Sequence, residues 1–351
     1  MTPRERVLAA LAHERPDRTP FEFEFTPPML ETFREKTGAD NPVDYFDLDI
    51  RSVGGKPTRQ PGDFSAYLPV ELPSGSVVDE WGVAHRPGSM FHFTKMIHPL
   101  ANVNTVEELE KYPFPDVTAP YRYSHLPDEV THLHDAGYFV DGFTGHIFEQ
   151  AWYMRGMEAL LTDLVLNQEL ATFLLDIIVE INCHRARCLA EAGVDMIRTG
   201  DDVGTQKAML MSPDMWREWF KPRLAKVIAE AKAINPKIHV WYHSDGAILP
   251  IIPDLIEVGV DVLNPVQPEC LDPEMIKKRY GHVASLWGTI GTQSIMPFGT
   301  PQEVAEYTKD RMRTLGYNGG LVLAPTHVLE PDVPWDNVLA FVETAREFRD
   351  F

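Results

Sequence analysis

Two histidine-containing stretches follow apolar runs in the C-terminal part of the chain. The first is His243-Ser244-Asp245, which follows IHVWY, and the second ends in His327, which follows LVLAPT. Such short apolar runs predict buried strands. Zinc accepts imidazole nitrogen and carboxylate oxygen, and a catalytic zinc site typically has three protein ligands and one open position. We therefore predict a metal site at His243, Asp245 and His327, with acid–base catalysis by His243 or His327 as the alternative.

Polar or aromatic residues also follow the other predicted strands. A parallel α/β barrel gathers the carboxyl ends of its strands in one mouth, where its chemistry takes place. Each residue alone has a structural explanation, since an Asp after a strand often caps the next helix and a Trp usually packs in the core. Together they predict one site, to which the strands contribute His146, Glu149, Asp201, Asp202, Gln206, Asn264, Gln267 and Trp287.

The pattern along the chain predicts the scaffold for this site. Apolar runs alternate with segments of helical periodicity from residue 138 onward, which is typical of a parallel sheet covered by helices. A hairpin is expected within residues 77–100, inside a Gly- and Pro-rich excursion over about 50–100. We predict a single (β/α)8 TIM barrel over residues 1–351, with this N-terminal excursion. A doubly wound nucleotide-binding fold is the runner-up, because no Gly-rich phosphate loop follows a strand.

The segment FEFEF at 21–25 is expected to form the first strand. Its alternation places Phe21, Phe23 and Phe25 on one face, and Glu22 and Glu24 on the other. The two carboxylates either face into the barrel or lie on the wet side of an exposed hairpin, since Glu is rarely buried without a partner.

Helix starts are marked by capping residues. Capping boxes occur at Thr2, Thr105 and Thr300, each with Glu three residues later. Ser212, followed by Pro213, is expected to cap one helix that runs to about residue 235.

The composition excludes several classes of protein. Of 351 residues, 32 are Lys or Arg and 52 are Asp or Glu, which gives a formal net charge of −20. So acidic a surface repels phosphate backbones and anionic membranes, so neither is expected as a partner. The three cysteines show no disulfide framework, and neither a signal peptide nor a membrane-spanning run is evident. We therefore expect a cytoplasmic protein.

Four stretches of the chain resemble the uroporphyrinogen decarboxylase superfamily, in the order found there: residues 2–23, 198–224, 243–269 and 319–345. The resemblance implies a (β/α)8 barrel. It also implies one of two chemistries, which are cofactor-independent decarboxylation of a tetrapyrrole and methyl transfer that depends on a corrinoid.

The decarboxylase branch fits this sequence poorly. Its members hold substrate carboxylates with an N-terminal Arg-Gln-Ala-Gly-Arg motif, whereas the equivalent region here offers Glu22 and Glu24. Burying anionic groups against carboxylates is unfavourable. However, His327 aligns with a substrate-site histidine in the Gly-His-Gly-x-x-Pro-Asp run of that branch, so decarboxylation remains an alternative, as does a non-catalytic ligand-binding barrel.

The methyltransferase branch resembles the chain more closely. Some of its members bind zinc through His-x-Cys and a later Ala-Pro-x-Cys. The corresponding residues here are His243-Ser244-Asp245 and Ala324-Pro325-Thr326-His327, so Asp and His replace both cysteines. These are harder ligands that can still bind zinc. The resemblance then implies demethylation of a small methylated compound, such as an aryl methyl ether, with the methyl group passing to a corrinoid (cobalamin) carried by a partner protein.

The resemblance also suggests a role for each candidate residue. His327, His243 and Asp202 are the expected catalytic residues. Trp287, Phe25 and Phe143 are expected to form an apolar wall for an aromatic ring. The remaining candidates are expected to bind ring hydroxyls or to complete the metal shell: Glu24, His146, Asp202, Gln206, Asn264 and Gln267.

Overall fold

A curled parallel sheet forms the centre of the computed structural model, which describes residues 1–88 and 94–349. The strands are β1 (Ile50–Val53), β2 (Val77–Val78), β3 (Ala84–Pro87), β4 (Thr94–Ile97), β5 (Phe139–Phe143), β6 (Met196–Gly200), β7 (His239–His243), β8 (Val262–Asn264), β9 (Ser285–Ile290) and β10 (Leu321–Pro325). Among the described residues, seven of them pair in the order β1-β5-β6-β7-β8-β9-β10, and every pair is parallel.

Helices alternate with these strands, as expected for a barrel. They are α1 (Pro3–Leu11), α2 (Pro27–Thr37), α3 (Pro42–Tyr45), α4 (Val106–Leu109), α5 (Leu126–Asp135), α6 (Phe148–Arg155), α7 (Met157–Leu166), α8 (Gln168–Ala192), α9 (Pro213–Trp219), α10 (Lys221–Ile234), α11 (Ile252–Glu257), α12 (Pro273–Tyr280), α13 (Ile295–Phe298), α14 (Pro301–Leu315) and α15 (Trp335–Glu347). None of the helices within the described ranges is long and apolar enough to cross a membrane.

The capping boxes at Thr2, Thr105 and Thr300 are confirmed, each with both reciprocal hydrogen bonds. Ser212 caps α9 by accepting a hydrogen bond from the backbone of Met215. The single helix predicted over 212–235 is wrong, because the chain forms α9 and α10 with Phe220 between them. Pro222 explains the break, since a proline has no N–H to donate and is tolerated only in the first turn of a helix.

The barrel closes through residues 21–25, so the predicted fold is confirmed with one difference. Phe21 and Phe25 form isolated parallel bridges with Leu323 and Leu329 instead of a regular strand. On the other side, the N–H of Phe21 donates to the Asp49 carboxylate at 3.2 Å rather than to a strand carbonyl. This side-chain contact replaces the pairing that a complete eighth strand would make.

Strand β1 was not expected, because its residues stand at the start of the segment predicted as an excursion. The predicted hairpin is confirmed as a small antiparallel sheet in which β3 pairs with both β2 and β4. Part of the predicted segment, residues 89–93, lies outside the described residues.

The strands fill the lower barrel with large side chains. Each of the seven parallel strands contributes at least one residue to a buried interior cluster: Ile50, Phe139, Met196, Trp241, Val262, Trp287, Val322 and Ala324. Val7 and Leu11 of α1 pack against the same cluster. The interior at this level is therefore a packed core, and the cavities that strand residues line lie toward the carboxyl ends of the strands.

Replacing Asp49 by Asn should destabilise the barrel. The fully buried Asp49 carboxylate accepts hydrogen bonds from Arg6 at 2.6 Å and Arg18 at 2.7 Å, and it also holds Phe21. Removing its charge leaves two guanidinium groups without their buried partner, so the free energy of unfolding in urea should fall by about 3–5 kcal/mol.

The matched control is Asp40→Asn, since the Asp40 side chain is 98% exposed. This change should alter the free energy of unfolding by no more than about 0.5 kcal/mol. Equal stability of the two variants would contradict a closing role for Asp49.

Candidate functional site

Two cavities open at the carboxyl ends of the strands. The inner one has a volume of about 400 Å³ and the outer one about 950 Å³. Both are lined by His146, His243, Thr326, His327 and Val328. These residues therefore form the junction between the two cavities, and the three histidines predicted for the site meet there.

The orientation of His243 is fixed by its neighbour on β8. The His243 Nδ1 atom lies 2.6 Å from Oδ1 of Asn264, whose Nδ2 donates to the carbonyl of Trp287 at 3.0 Å. The amide oxygen of Asn264 must therefore accept the hydrogen bond, so Nδ1 of His243 carries the proton. The other ring nitrogen, Nε2, then points with its lone pair or a second proton toward Asp202, 3.5 Å away.

Two carboxylates stand opposite that nitrogen. The donor atoms of Asp202, His243 and Asp245 all lie within 4.8 Å of one another. Burial opposes protonation of His243, but the charges of Asp245 and Asp202 outweigh it and raise the pKa of the imidazole. A cation is favoured at this point, whether it is a proton on Nε2 or a bound metal ion.

Two glycines allow the loops that follow β6 and β7 to approach each other closely. Gly246 has φ +83°, and a side chain there would lie 2.7 Å from the backbone carbon of Gly204. A side chain on Gly204 would in turn lie 2.6 Å from the carbonyl oxygen of Asp245. The loops after β6 and β7 thus touch backbone to backbone, and the N–H of Asp245 donates to Asp202 at 2.7 Å.

His327 lines both cavities but does not belong to the group formed by His243 and Asp245. Within the described ranges, the third residue of this possible metal-ligand group is Asp202, whereas the sequence suggests His327. The structure thus separates a group with metal-ligand chemistry from a histidine that faces the same space.

A second cluster, His146, Glu149 and Asp201, also has donor atoms within 4.8 Å. Most of its oxygens already accept hydrogen bonds. Oδ1 of Asp201 accepts the N–H groups of Ile147 and Glu149 at 2.9 Å each, and Glu149 accepts the hydroxyl of Tyr153 at 2.7 Å and the N–H of Asp202 at 3.0 Å. Burial raises the pKa of Asp201 to about 7, and Glu149 adds to this effect. The cluster serves as a helix cap rather than as an open ligand set.

The two predicted glutamines lie at the outer cavity. Gln267 is buried and accepts the N–H of Gly246 at 3.1 Å, so it supports the turn that carries Asp245. Gln206 donates to Gln293 at 3.2 Å on the cavity wall.

A buried ionic network forms the base of the inner cavity. Arg198 donates to Asp141 at 2.6 Å and to Glu22 at 2.7 Å, and Glu24 lies 3.7 Å away. Glu22 therefore faces into the barrel, which decides between the two orientations left open by the sequence. The sequence analysis does not predict Arg198 and Asp141 as site residues. Each is a charged residue within an apolar strand, and this feature could have identified them, because a charge is rarely buried without a partner.

The three aromatic residues expected to form a substrate wall are differently placed. Phe143 is 46% exposed, lines the inner cavity and contacts the His146 ring at 4.8 Å between centroids. Trp287 is completely buried and donates its indole N–H to Glu22 at 2.5 Å. Phe25 packs against Phe33 and Trp335. Of the three, only Phe143 lines a described cavity.

The chain belongs to the uroporphyrinogen decarboxylase (URO-D) family, whose model matches residues 83–348. This confirms the predicted resemblance. A solved structure of a methyltransferase from Methanosarcina mazei has the same fold, with a TM-score of 0.69 and 22% identity, and the match covers 99% of each chain. Xylanase 10B from Thermotoga maritima matches at a TM-score of 0.39 and 12% identity, over 65% of this chain and 80% of that chain, which is too remote to support an argument. No curated protein matches the chain.

Replacing Glu22 by Gln should change how stability depends on pH. Burial raises the pKa of Glu22 to about 7, Arg198 opposes this, and Asp141 and Glu24 add to it. An ordinary glutamate loses its proton near pH 4.3, so the folded protein holds a proton that the unfolded chain releases. The stabilisation is complete at low pH and is lost as the pH rises through about 7.

We therefore expect the free energy of unfolding to fall between about pH 5 and 7, with a slope of up to about 1.4 kcal/mol per pH unit from this group. Urea unfolding across that range should show the slope in the parent and in Glu35→Gln, an exposed control. An unchanged slope in Glu22→Gln would assign the proton to another group.

Proposed function

We propose that the protein is a methyltransferase that transfers a methyl group from a small methylated compound, such as an aryl methyl ether, to a corrinoid carried by a partner protein. The observation that carries the proposal is the position of His243. Its Nε2 faces two carboxylates at the junction of two cavities. One cavity can hold the methyl donor while the acceptor reaches the methyl group through the other.

Family membership and fold support this proposal. The URO-D match leaves more than one chemistry open, because one fold hosts several functions. The full-length structural similarity is to a protein described as a methyltransferase, and at 22% identity it supports the fold alone. The choice of reaction therefore depends on the residues of the site.

The donor set fits a zinc ion. His243 offers nitrogen, while Asp202 and Asp245 offer oxygen, and zinc accepts both atom types. Asn264 fixes the ring of His243 from behind, as hydrogen-bond partners of metal-binding histidines usually do. When bound, zinc would act as a Lewis acid toward the oxygen that leaves the methyl group.

An ether oxygen is a poor leaving group, so the protein must stabilise the negative charge that develops on it. The methyl carbon exchanges its bond to this oxygen for a bond to the acceptor, and the electron pair of the broken bond stays on the oxygen. His327 faces both cavities and can give that oxygen a proton. Asp202 contributes by holding the backbone of Asp245 beside His243.

Decarboxylation of a tetrapyrrole is the weaker candidate. Such a substrate carries several carboxylates, which need cationic partners. Among the described residues that line the inner cavity, Arg198 is the one arginine or lysine, and Glu22 and Asp141 already occupy it. The acidic lining therefore weighs against a substrate with many carboxylates.

Replacing a ligand residue should remove the metal and the activity together. In His243→Ala and Asp245→Asn, zinc measured by elemental analysis should fall from near one ion per chain to background. Methyl transfer from a panel of aryl methyl ethers to a reduced corrinoid should fall at least about a hundredfold. His327→Ala should keep the metal and lose the transfer.

His132→Ala removes an exposed histidine and should change neither quantity. Circular dichroism should show that all the variants are folded. Full methyl transfer in His243→Ala would reject the role assigned to that residue, and absence of zinc from the parent after zinc is supplied would leave His327 acting as an acid without a metal.

Removing the Asn264 side chain that orients His243 should lower the affinity for zinc without removing a ligand. In Asn264→Ala, the imidazole loses the acceptor that fixes its proton on Nδ1, so zinc affinity should fall about 10–100-fold. Competition with a coloured chelator measures the change, and Asn102→Ala provides an exposed amide control. Unchanged affinity in Asn264→Ala would show that Asn264 does not orient the ring.

A further inference from the structure

The inner cavity carries more negative than positive charge. Apart from the three histidines at its junction with the outer cavity, its charged lining consists of Glu22, Glu24, Asp141 and Arg198. One guanidinium group therefore faces three carboxylates, at 2.7 Å, 3.7 Å and 2.6 Å respectively. When all three carboxylates are ionised, this one guanidinium charge cannot neutralise them, so the lining is deficient in positive charge.

Two carboxylates of this lining lack a full set of protein partners. Asp141 is completely buried. Its Oδ2 is held by Arg198 and Ser52 also favours its ionised form, but its Oδ1 accepts no well-aligned hydrogen bond from a described residue. A buried acceptor without a donor costs free energy unless a ligand or water satisfies it. The Glu24 side chain is 63% exposed, and its one ion pair among residues 1–88 and 94–349 is the contact to Arg198 at 3.7 Å.

The ionisation of the buried acids agrees with this charge imbalance. Burial raises the pKa of Asp141, and it raises that of Glu22 to about 7 although Arg198 is adjacent. Both carboxylates would be more stable as anions with a second cation beside them.

The wall of the cavity suits an organic cation rather than a bare ion. Phe143 is half-exposed and lines the cavity, and the face of an aromatic ring attracts an ammonium group. Trp241 is not available in this way, since Arg198 covers its ring at 5.1 Å and His243 stacks on it at 5.6 Å. A volume of about 400 Å³ is large enough for a small aromatic or alkyl ammonium compound.

We propose that the inner cavity binds an organic ammonium group, so that the end of the methyl donor remote from the methyl group is cationic. This inference rests on the proposed methyl transfer and adds the substrate class. Glu24 and Asp141 receive the ammonium group, and Phe143 covers it. A carboxylate at the same end of the substrate is rejected, because it would face an excess of like charge.

Three aryl methyl ethers that differ only in the group opposite the methoxy substituent test the inference: 4-methoxybenzylamine, 4-methoxybenzyl alcohol and 4-methoxybenzoate. Isothermal titration calorimetry with the full chain, without any corrinoid, measures their binding. The ammonium compound should bind about tenfold more tightly than the alcohol, and the benzoate more weakly than either. Equal affinities, a preference for the benzoate, or no detectable binding of the ammonium compound at millimolar concentration would overturn the inference.

Glu24→Gln locates the effect. This exposed side chain lines the cavity, so its loss should reduce the preference for the ammonium compound by about threefold, as expected for a partly exposed charge. Glu35→Gln removes the same charge from the exposed surface of α2 and should leave the preference unchanged. An unchanged preference in Glu24→Gln would place the ammonium compound outside the inner cavity and would also overturn the inference.

The failure of this inference can be separated from the failure of the proposed function. An intact preference for ammonium without methyl transfer to a reduced corrinoid would contradict the methyltransferase proposal alone. Methyl transfer from the benzoate as fast as from the ammonium compound would support methyl transfer and reject the cationic substrate.

Discussion

The ionic contacts of Arg198 inside the barrel tie together most of the features that define the site. Its guanidinium group joins Glu22 of the closing segment to Asp141 of β5, and it lies over the rings of Trp241 and Trp287. Breaking a buried ion pair by removing one partner is costly, whereas the intact pair adds little net stability. The network therefore contributes mainly to the specificity of the fold, since it holds the N-terminal segment in register with the other strands. It also lies at the level where the packed interior ends and the inner cavity begins.

The His243 end of the candidate site depends on a second set of contacts, arranged in series across neighbouring strands. The carbonyl of Trp287 on β9 orients Asn264 on β8, and Asn264 orients His243 on β7. Asp202 then reaches His243 because Gly204 and Gly246 let the loops after β6 and β7 meet without side chains between them. Each strand thus positions one member of the group, which is how a parallel barrel assembles a site from distant parts of its sequence.

These two sets of contacts give the two cavities at the mouth of the barrel different linings. The inner cavity is acidic and partly aromatic, and it is closed below by the packed interior. The outer cavity is lined by Asp202, His243 and Asp245. The proposed methyl transfer would use such an arrangement, because the donor must be held on one side of the methyl carbon while the acceptor approaches from the other. His146, His243 and His327 stand where the two spaces join.

The sequence by itself determined the alternation of strands and helices, the barrel, the helix caps and the polar residues at the strand ends, because these depend on periodicity and on local hydrogen bonding. Periodicity did not predict the break at Phe220 and Pro222, where the single helix expected over 212–235 is divided into α9 and α10. Only the tertiary structure decided that Glu22 faces inward, that Trp287 supports it from below, and that Asp202 rather than His327 joins His243 and Asp245. Likewise, only the tertiary structure shows that Asp141 and Arg198 pair at the base of the inner cavity. The physical reason is that a strand's alternation leaves open which face meets the core, and loop geometry brings together side chains whose separation in the sequence carries no information about distance in space.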